Sequence, residues 1–320
     1  MLQLTRRDVV LSAAGSAVVF GLAKPLAFIG TAHAQKAAET GFLKYKVGDV
    51  EAFALYDGVW QKAHDAAFIK NATVEETKAA LRAAGLTDEY VTQPFTITAL
   101  RSGEKFVLID SGTGAQMAPT AGLLSRSMAN AGIDPAKVTT VIISHFHPDH
   151  IFGLMAKDTN AQVYPNAEIL VPAVEYKFWT GAVIESLPEA RRPLAKRIQA
   201  TFPSWKNVRQ FEWDAEVMPG IKALATPGHT PGHTSFHVAS GGQQLIVLGD
   251  VTAQPALNMR HPGWHLNFDA DPVMAEATRR KILDRVVADK TMVTGYHFGP
   301  VNVGTIAKDG DGYAFVPVQG

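Results

Sequence analysis

The amino-acid sequence predicts an α/β fold of the α+β type, in which two mixed β-sheets pack face to face with helices outside. Short strands recur as hairpins, helical segments lie between them, and the pattern repeats in two roughly matching halves. Hydrophobic residues make up 47% of the 320 residues, which is enough apolar material for one substantial core. Stacked sheets covered by helices are the layered arrangement that buries the apolar faces of such elements.

The first 34 residues are predicted to be a twin-arginine export signal. Arg6 and Arg7 precede an apolar run from Val9 to Ala23, and Ala32-His33-Ala34 fits a small-x-small cleavage site. Because the run is shorter than the roughly 20 residues that span a bilayer, a cleaved signal is favoured over an anchor, and we expect no membrane span in the mature protein. We therefore expect a periplasmic or secreted protein, with a leader at 35–41 and a single domain at 42–320.

The first half of the domain is predicted to contain hairpins and helices ahead of a buried strand. The stretch 46–60 is typical of two short strands with Asp57-Gly58 as their turn. Thr73 and Glu76 form a capping box that begins a helix, and Gly85 ends it at Ala84. The other predicted elements are a hairpin of 95–100 and 105–109 around 102–104, a helix at 118–131 and a β-branched strand at 138–143.

The second half repeats this pattern of strands and helices. Strands are predicted at 167–171, 221–225, 235–239, 244–248 and 291–294, helices at 188–201 and 271–289, and a closing hairpin at 304–317. The segments 176–214 and 251–270 are the least regular and are rich in aromatic residues. We interpret them as coverings over a site.

Composition excludes several classes of function. Thirty basic residues balance thirty acidic residues, so no nucleic acid or anionic membrane surface is expected as a partner. The chain has no cysteine, which excludes disulfides, thiolate metal sites and cysteine nucleophiles. It also contains no Gly-x-Ser-x-Gly elbow and no glycine-rich phosphate loop, so a serine hydrolase or a nucleotide enzyme has no support.

A cluster of metal-ligand residues follows the buried strand at 138–143. The cluster is His145-Phe146-His147-Pro148-Asp149-His150. In extended backbone the side chains of His145 and His147 point the same way and can bind one cation together. Asp149 and His150 follow a proline bend and can reach a second cation.

Three further candidate ligands lie at the ends of predicted strands. They are His229, Asp250 and His297. Ligands at strand ends can converge on one rim, so we expect them to complete a site for two divalent cations. Imidazole and carboxylate suit zinc best, with iron, manganese and cobalt as alternatives.

The spacing of these ligands resembles the metallo-β-lactamase superfamily over about residues 42–318. The pattern is His-x-His-x-Asp-His, then Gly-His-x-Pro-Gly-His, a Gly-Asp at a strand end and a late His. The superfamily fold is an αββα sandwich, in agreement with the strand pattern, and the chain is most similar to the branch that contains methyl parathion hydrolase and N-acyl homoserine lactonases. The resemblance implies one metal bound by His145, His147 and His229. It implies a second metal bound by Asp149, His150 and His297, with Asp250 bridging the two.

The resemblance also implies a dinuclear-metal hydrolase that acts on a small-molecule ester. A hydroxide that bridges the metals would attack a carbonyl carbon or a phosphorus. Asp149 and Asp250 are the candidate catalytic residues, with Asp149 passing a proton to the leaving group. The bonds expected to be cleaved are those of aryl phosphotriesters, lactones or aryl esters, and aryl substrates are expected to react faster than long-chain N-acyl homoserine lactones.

Several alternatives stay open at this point. A quorum-quenching N-acyl homoserine lactonase shares the seven ligands, although Ala253 stands where the best-known lactonases have a tyrosine. A di-iron redox protein of the same fold is a further alternative, and the oligomeric alternatives are a monomer and a homodimer. Hydrolysis of β-lactams is disfavoured because cysteine is missing and Asp250 is present.

Four residues are candidates for the substrate pocket. They are Phe146, Phe152, Trp179 and His265. Each aromatic has core packing as its alternative role, and His265 has an ordinary surface position. His233 is interpreted as structural, because it can bond within its own loop or to a neighbouring carboxylate.

Overall fold

The computed structural model describes residue 37 and residues 39–182 and 187–318. The predicted export signal at 1–34 lies outside the described residues, as does part of the predicted leader. The first strand begins at Phe42. No helix in the described ranges is long and apolar enough to cross a membrane.

The first sheet contains seven strands in chain order. They are β1 (Phe42–Val47), β2 (Val50–Lys62), β3 (Val91–Ser102), β4 (Lys105–Ile109), β5 (Val138–Ile142), β6 (Glu168–Pro172) and β7 (Val208–Phe211). Strands β1 to β4 are antiparallel, and β4 to β7 are parallel. The sheet is therefore mixed, as predicted.

The second sheet also contains seven strands in chain order. They are β8 (Glu216–Met218), β9 (Ile221–Ala225), β10 (Thr234–Ser240), β11 (Gln243–Val247), β12 (Met292–Thr294), β13 (Val303–Asp309) and β14 (Gly312–Pro317). Only the pairing of β11 with β12 is parallel. Each half of the chain therefore forms its own sheet.

Six complete α-helices lie within the described ranges. They are α1 (Val74–Ala83), α2 (Leu124–Asn130), α3 (Pro148–Ile151), α4 (Ala173–Thr180), α5 (Arg192–Thr201) and α6 (Pro272–Asp289). The capping box predicted for α1 is present, because the Thr73 side chain accepts from the Glu76 N–H while Glu76 accepts from the Thr73 N–H.

The alternation of buried side chains along the strands separates three apolar layers. Val141 lies in the layer between the first sheet and its helices, whereas the next residue, Ile142, lies between the two sheets. In the second sheet Leu245 lies between the sheets, and Ile246 packs towards α6. The predicted fold class, two mixed sheets face to face with helices outside, is confirmed.

One predicted turn is wrong. Asp57 and Gly58 lie inside β2, where the register shifts by one residue, and the turn between β1 and β2 is at Gly48-Asp49. Asp57 is fully buried and accepts hydrogen bonds from the N–H and hydroxyl of Thr113 and from the N–H of Leu124. A turn-forming pair thus serves as a β-bulge that binds a neighbouring loop.

The same bulge explains why the predicted helix at 118–131 is shorter. Gly122 and Leu123 donate their N–H groups to the carbonyl of Asp57, and Val59 donates to the carbonyl of Thr120. These contacts hold the segment before Leu124 as a turn against β2, so only Leu124–Asn130 is helical. Helix α4, which extends into the irregular segment 176–214, and the strands β7 and β8 were not predicted.

Candidate metal centre

Seven side chains converge where strands end. His145 to His150 follow β5, His229 lies in the loop from β9 to β10, Asp250 follows β11, and His297 follows β12. Since β5 belongs to the first sheet and the other strands to the second, both halves of the chain contribute. The structure brings together all seven residues that the sequence nominated as ligands.

The first group contains His145, His147, His229 and Asp250. One ligand atom from each lies within 4.8 Å of those of the others. The Nδ1 atom of His147 is 3.0 Å from Nε2 of His145 and 2.8 Å from Nε2 of His229. Oδ2 of Asp250 is 3.3 Å from Nε2 of His229. Three imidazoles and a carboxylate are a suitable donor set for a divalent cation.

The second group contains Asp149, His150, His297 and the same Asp250. Nε2 of His150 lies 3.4 Å from Oδ2 of Asp149 and 3.3 Å from Oδ1 of Asp250. Nε2 of His297 lies 3.5 Å from Oδ2 of Asp149 and 3.1 Å from Oδ2 of Asp250. Asp250 therefore belongs to both groups, and its two oxygens face different histidines.

Two atoms of these groups test whether a cation fits. Nε2 of His150 and Oδ1 of Asp250 are buried and have no hydrogen-bond partner. Buried polar atoms are nearly always bonded, because an unpaired one costs free energy. A cation between a histidine nitrogen and a carboxylate oxygen would satisfy both atoms, so the residues fit a metal.

The outer nitrogen of each of four histidines is held by a neighbouring group. Nδ1 of His150 is 2.8 Å from Oδ2 of Asp110, and Nδ1 of His229 is 2.8 Å from Oδ1 of Asp269. Nδ1 of His297 is 2.7 Å from the carbonyl oxygen of Pro94. Nδ1 of His145 is 3.0 Å from Oγ of Ser144, which also donates to Asp110. Such contacts set each ring's orientation and leave Nε2 free to bind a metal.

Burial and charge shift the protonation of the cluster in opposite directions. Burial, followed by the neighbouring histidines, lowers the pKa of His145 and of His147 well below the usual value. Burial alone would also lower the pKa of His229, but hydrogen bonds to Asp250 and Asp269 raise it to about 9. Although burial opposes it, charge attraction to His297 and His150 holds the pKa of Asp250 well below its usual range. Without metal, the cluster is thus a set of neutral and protonated imidazoles around an ionised carboxylate.

His233 has the structural role that the sequence suggested. Its Nε2 accepts the backbone N–H of Asp250, and its Nδ1 lies 3.1 Å from the carbonyl oxygen of Thr226 in its own loop. Burial lowers the pKa of His233 to about 3, so the ring is neutral and can accept this bond. It positions the backbone from which the Asp250 side chain extends.

Glu175 connects the two ligand loops. This fully buried residue on α4 accepts from the Phe146 N–H at 2.9 Å in the first loop. Its other oxygen accepts from the Thr230 hydroxyl at 2.8 Å and the Gly232 N–H at 2.9 Å in the second loop. Burial raises the pKa of Glu175, and these donors oppose that shift. One carboxylate therefore holds the loops of His147 and His229 side by side.

A pocket of about 270 Å³ opens over the cluster. Five of the seven candidate ligands line it: His147, Asp149, His229, Asp250 and His297. The remaining lining residues are mostly apolar and are Trp60, Gln93, Phe95, Met117, Pro148, Trp179, Ala190, Arg191, Leu194, Ala253, Leu266 and Phe268. The two segments interpreted as coverings supply many of these residues.

The four pocket candidates from the sequence have different positions. Trp179 lines the pocket, and it is also a core residue whose Nε1–H donates to Glu175 at 2.7 Å. Phe146 and Phe152 do not line it, because Phe146 packs on Phe202 beneath the ligand loop and Phe152 lies under the guanidinium of Arg197. His265 also lies away from the pocket.

His265 is held at the surface by Glu276, with its Nε2 2.8 Å from Oε2 of that carboxylate. Several residues that the sequence did not nominate take part in the site: Asp110, Glu175, Asp269, Gln93 and Arg191. Asp110 had a signal, since an acidic residue ends the buried strand β4 in the same way that Asp250 follows β11. The other four carry no local pattern that distinguishes them from surface residues.

Comparison with known families and curated proteins gives consistent results. The family model described as "Metallo-beta-lactamase superfamily" matches residues 96–294. An N-acyl homoserine lactonase from Bacillus sp. is 26% identical over 166 residues, which cover 52% of this chain and 58% of the lactonase. Ribonuclease Z from Methanothermobacter thermautotrophicus is 44% identical over 59 residues, covering 18% of this chain and 16% of that protein. The chain therefore matches at most 58% of the length of these two relatives.

Comparison with solved structures covers more of the chain. The structure of AidC, a dizinc quorum-quenching lactonase in complex with a product, superposes with a TM-score of 0.82 at 27% sequence identity. The superposition covers 88% of this chain and 98% of AidC. The similarity thus extends over most of this chain and nearly all of AidC.

Proposed function

Because this chain belongs to the metallo-β-lactamase superfamily, we propose that it is a dinuclear-metal hydrolase that opens lactones and cleaves related ester bonds in apolar substrates. One observation carries the proposal most directly. Five candidate metal ligands form part of the wall of an apolar pocket of about 270 Å³. A substrate that enters the pocket must therefore meet the metal-binding atoms.

His145, His147 and His229 would hold one cation, Asp149, His150 and His297 the other, with Asp250 between them. Two divalent cations bound there would lower the pKa of water to about 7 and polarise the substrate oxygen. Zinc is the metal we propose, because the donor set suits it and the structurally similar AidC is described as a dizinc enzyme. Iron, manganese and cobalt are the alternatives.

The residues of the chain itself supply positioning and proton transfer. Asp149 lines the pocket, and its Tyr296-bound backbone carbonyl fixes the loop that carries it. Its Oδ2 faces His150 and His297, which leaves Oδ1 to take a proton from the attacking water and deliver it to the departing alkoxide oxygen. The apolar wall excludes bulk water, which strengthens electrostatic interactions at the reacting atoms.

Lactones are the first substrate class because of the relatives. Both AidC and the Bacillus relative are described as lactonases. Ala253 stands in place of the tyrosine of the best-known lactonases and lines the pocket with a methyl group. A hydrogen-bond donor to the lactone carbonyl must therefore come from another residue or from a metal. Aryl esters and aryl phosphotriesters are a second class, favoured by the aromatic side chains of Trp60, Phe95, Trp179 and Phe268 in the wall.

The proposal is tested by metal analysis followed by a panel of substrates. We expect close to two divalent metal ions per chain and turnover of at least one class among lactones, aryl esters and aryl phosphotriesters. His145→Ala should lower both metal content and turnover. His237→Ala is the matched control, because His237 lies on β10 bonded to Gln244, away from the cluster. Full turnover by the metal-free protein, or no turnover of any class, would contradict the proposal.

A further inference from the structure

Arg191 is the one arginine or lysine among the described residues that line the pocket. The rest of the wall, apart from the candidate ligands and Gln93, is apolar or aromatic. Arg191 is half-buried, and its guanidinium carries five N–H donors in a planar fork, each of which binds an oxygen acceptor of the protein, of water or of a ligand.

Only one nitrogen of Arg191 is occupied by the protein. Nη2 donates to the carbonyl oxygen of Phe268 at 2.9 Å, with a longer contact of 3.4 Å to that of Asn267. Within the described part of the chain, Nε and Nη1 have no acceptor, and no carboxylate lies within ion-pair distance. The two carbonyls thus anchor one arm of the fork, and the other donors are accessible to water, since none of them is among the buried polar atoms that lack a partner. A substrate oxygen can replace that water.

The carboxylate whose charge attracts Arg191 is already engaged elsewhere. Asp269 attracts Arg191 electrostatically, but its oxygens bind His229 at 2.8 Å and Arg279 at 3.4 Å. Asp269 is also fully buried together with Arg279. It cannot turn to pair with Arg191 without releasing a candidate metal ligand.

We propose that Arg191 is a specificity-determining residue whose free N–H donors bind a carbonyl oxygen of the substrate outside the bond that is cleaved. This inference rests on the proposed function and narrows its substrate class. The pocket would take lactones or esters that combine an apolar chain with a second carbonyl, such as an amide-linked acyl chain. Arg191 makes no hydrogen bond to any of the seven candidate ligands, so its effect on substrate choice can be separated from metal binding by measuring the metal content of each variant.

A matched pair of substrates tests this inference. One is N-hexanoyl homoserine lactone, and the other is a γ-lactone whose alkyl chain has similar length and no amide. We expect Arg191→Met to lower kcat/KM for the amide substrate by about ten- to a hundredfold, mainly through KM, because a hydrogen bond to a charged donor is lost. The amide-free lactone should change by less than about threefold, and Arg191→Lys should recover part of the difference.

Arg197→Met is the matched control. Arg197 is also partly buried on α5, but it bonds to Asn160 and Gln116 and lies over Phe152, outside the pocket. This variant should leave the ratio of the two substrates unchanged. Metal content and melting temperature are measured for every variant, so that a folding defect is recognised by a parallel loss for both substrates.

The outcomes separate the two proposals. An equal loss for both lactones in Arg191→Met and Arg191→Lys, or no loss for either, would overturn the role of Arg191 while leaving the hydrolase intact. If the wild-type enzyme opens neither lactone but cleaves aryl esters, the lactone assignment fails and this inference fails with it. A selective loss for the amide substrate supports both.

Discussion

At the scale of single residues, Asp250 has the most distinctive position. Its Oδ2 lies 3.1 Å from Nε2 of His297 and 3.3 Å from Nε2 of His229, which belong to different ligand groups, while its Oδ1 has no hydrogen-bond partner. The backbone N–H of the same residue is fixed by His233. A single side chain is therefore positioned to serve two cations at once.

Replacing Asp250 with Ala is expected to reduce bound metal from two ions to one or fewer and to lower activity by orders of magnitude. The reason is that both ligand groups lose an oxygen. Metal content per chain and kcat with the best substrate measure the effect. Asp289→Ala is the control, because Asp289 is an exposed partner of Arg285. Retention of two metals and full activity would show that Asp250 is not the bridge.

A second prediction concerns protons released by metal binding. His229 has a pKa of about 9 in the metal-free cluster, so it carries a proton at pH 7.5, whereas a metal ligand must be neutral. Binding should therefore release at least one proton. Apparent affinity should rise with pH by about tenfold per unit for each proton, up to about pH 9. Calorimetry in buffers of different ionisation enthalpy measures this release.

The same shift has the opposite consequence for the metal-free protein. The raised pKa of His229 contributes to the free energy of unfolding, and this contribution is fully present at pH values below the unfolded pKa of 6.5 and is lost as the pH rises through about 9.

For metal binding, heats that do not depend on the buffer would contradict the assignment of His229 as a residue that is protonated before the metal binds.

Glu175→Gln is the third prediction. The amide has one acceptor oxygen where the carboxylate has two, so its NH₂ group would face N–H and O–H donors of one ligand loop. We expect a loss of about 1–3 kcal/mol in the free energy of unfolding and weaker metal binding. Urea unfolding and metal titration measure these effects. Glu168→Gln, which removes only an exposed ion pair with Arg209, should change neither.

At the scale of elements, strands and caps were easier to predict than bulges and long-range partners. The buried strand β5 and the capping box of α1 follow from local patterns, and both are confirmed. The pair Asp57-Gly58 has the composition of a turn, yet contacts with the 118–124 segment make it a bulge. A local pattern cannot distinguish such a bulge from a turn, because the contacting residues of the 118–124 segment lie about 60 residues away in sequence.

In the candidate site too, some residues could be predicted from local sequence patterns and others could not. The ligand residues stand in short, recognisable motifs at strand ends. Arg191 and Glu175 take their roles from what folds against them: the carbonyl of Phe268 and the N–H of Gly232. The sequence around a single arginine or glutamate in a helical segment does not indicate which distant backbone group will bind it.

The bulge in β2 supports a fourth prediction. Gly58 has φ of +111°, and a Cβ there would lie 2.2 Å from the carbonyl oxygen of Thr120. Gly58→Ala should therefore destabilise the fold by roughly 2–4 kcal/mol, through both backbone strain and collision. Gly103→Ala is the control, since its φ is +61° but nothing lies within 4 Å of a Cβ. It should cost only about 1–2 kcal/mol. Equal losses in urea unfolding would assign the effect to backbone strain alone.

At the scale of the whole molecule, the fifth prediction concerns export. The twin arginines and the apolar run lie outside the described residues, so the proposal rests on the sequence. Changing Arg6 and Arg7 to Lys should leave unprocessed protein in the cytoplasm, because the export machinery reads that pair. Cell fractionation measures it. Normal amounts of mature protein in the periplasm would contradict a twin-arginine route.

Each sheet is made from one continuous half of the chain, yet the candidate ligands come from both. During synthesis the first seven strands can pair among themselves before β8 to β14 have left the ribosome, because neighbours in the sheet are also neighbours in the chain. The cluster, however, needs a residue from as far along as His297. A nascent chain that ends before His297 therefore lacks a member of the second ligand group, and both groups are complete only when residues of the two sheets have come together.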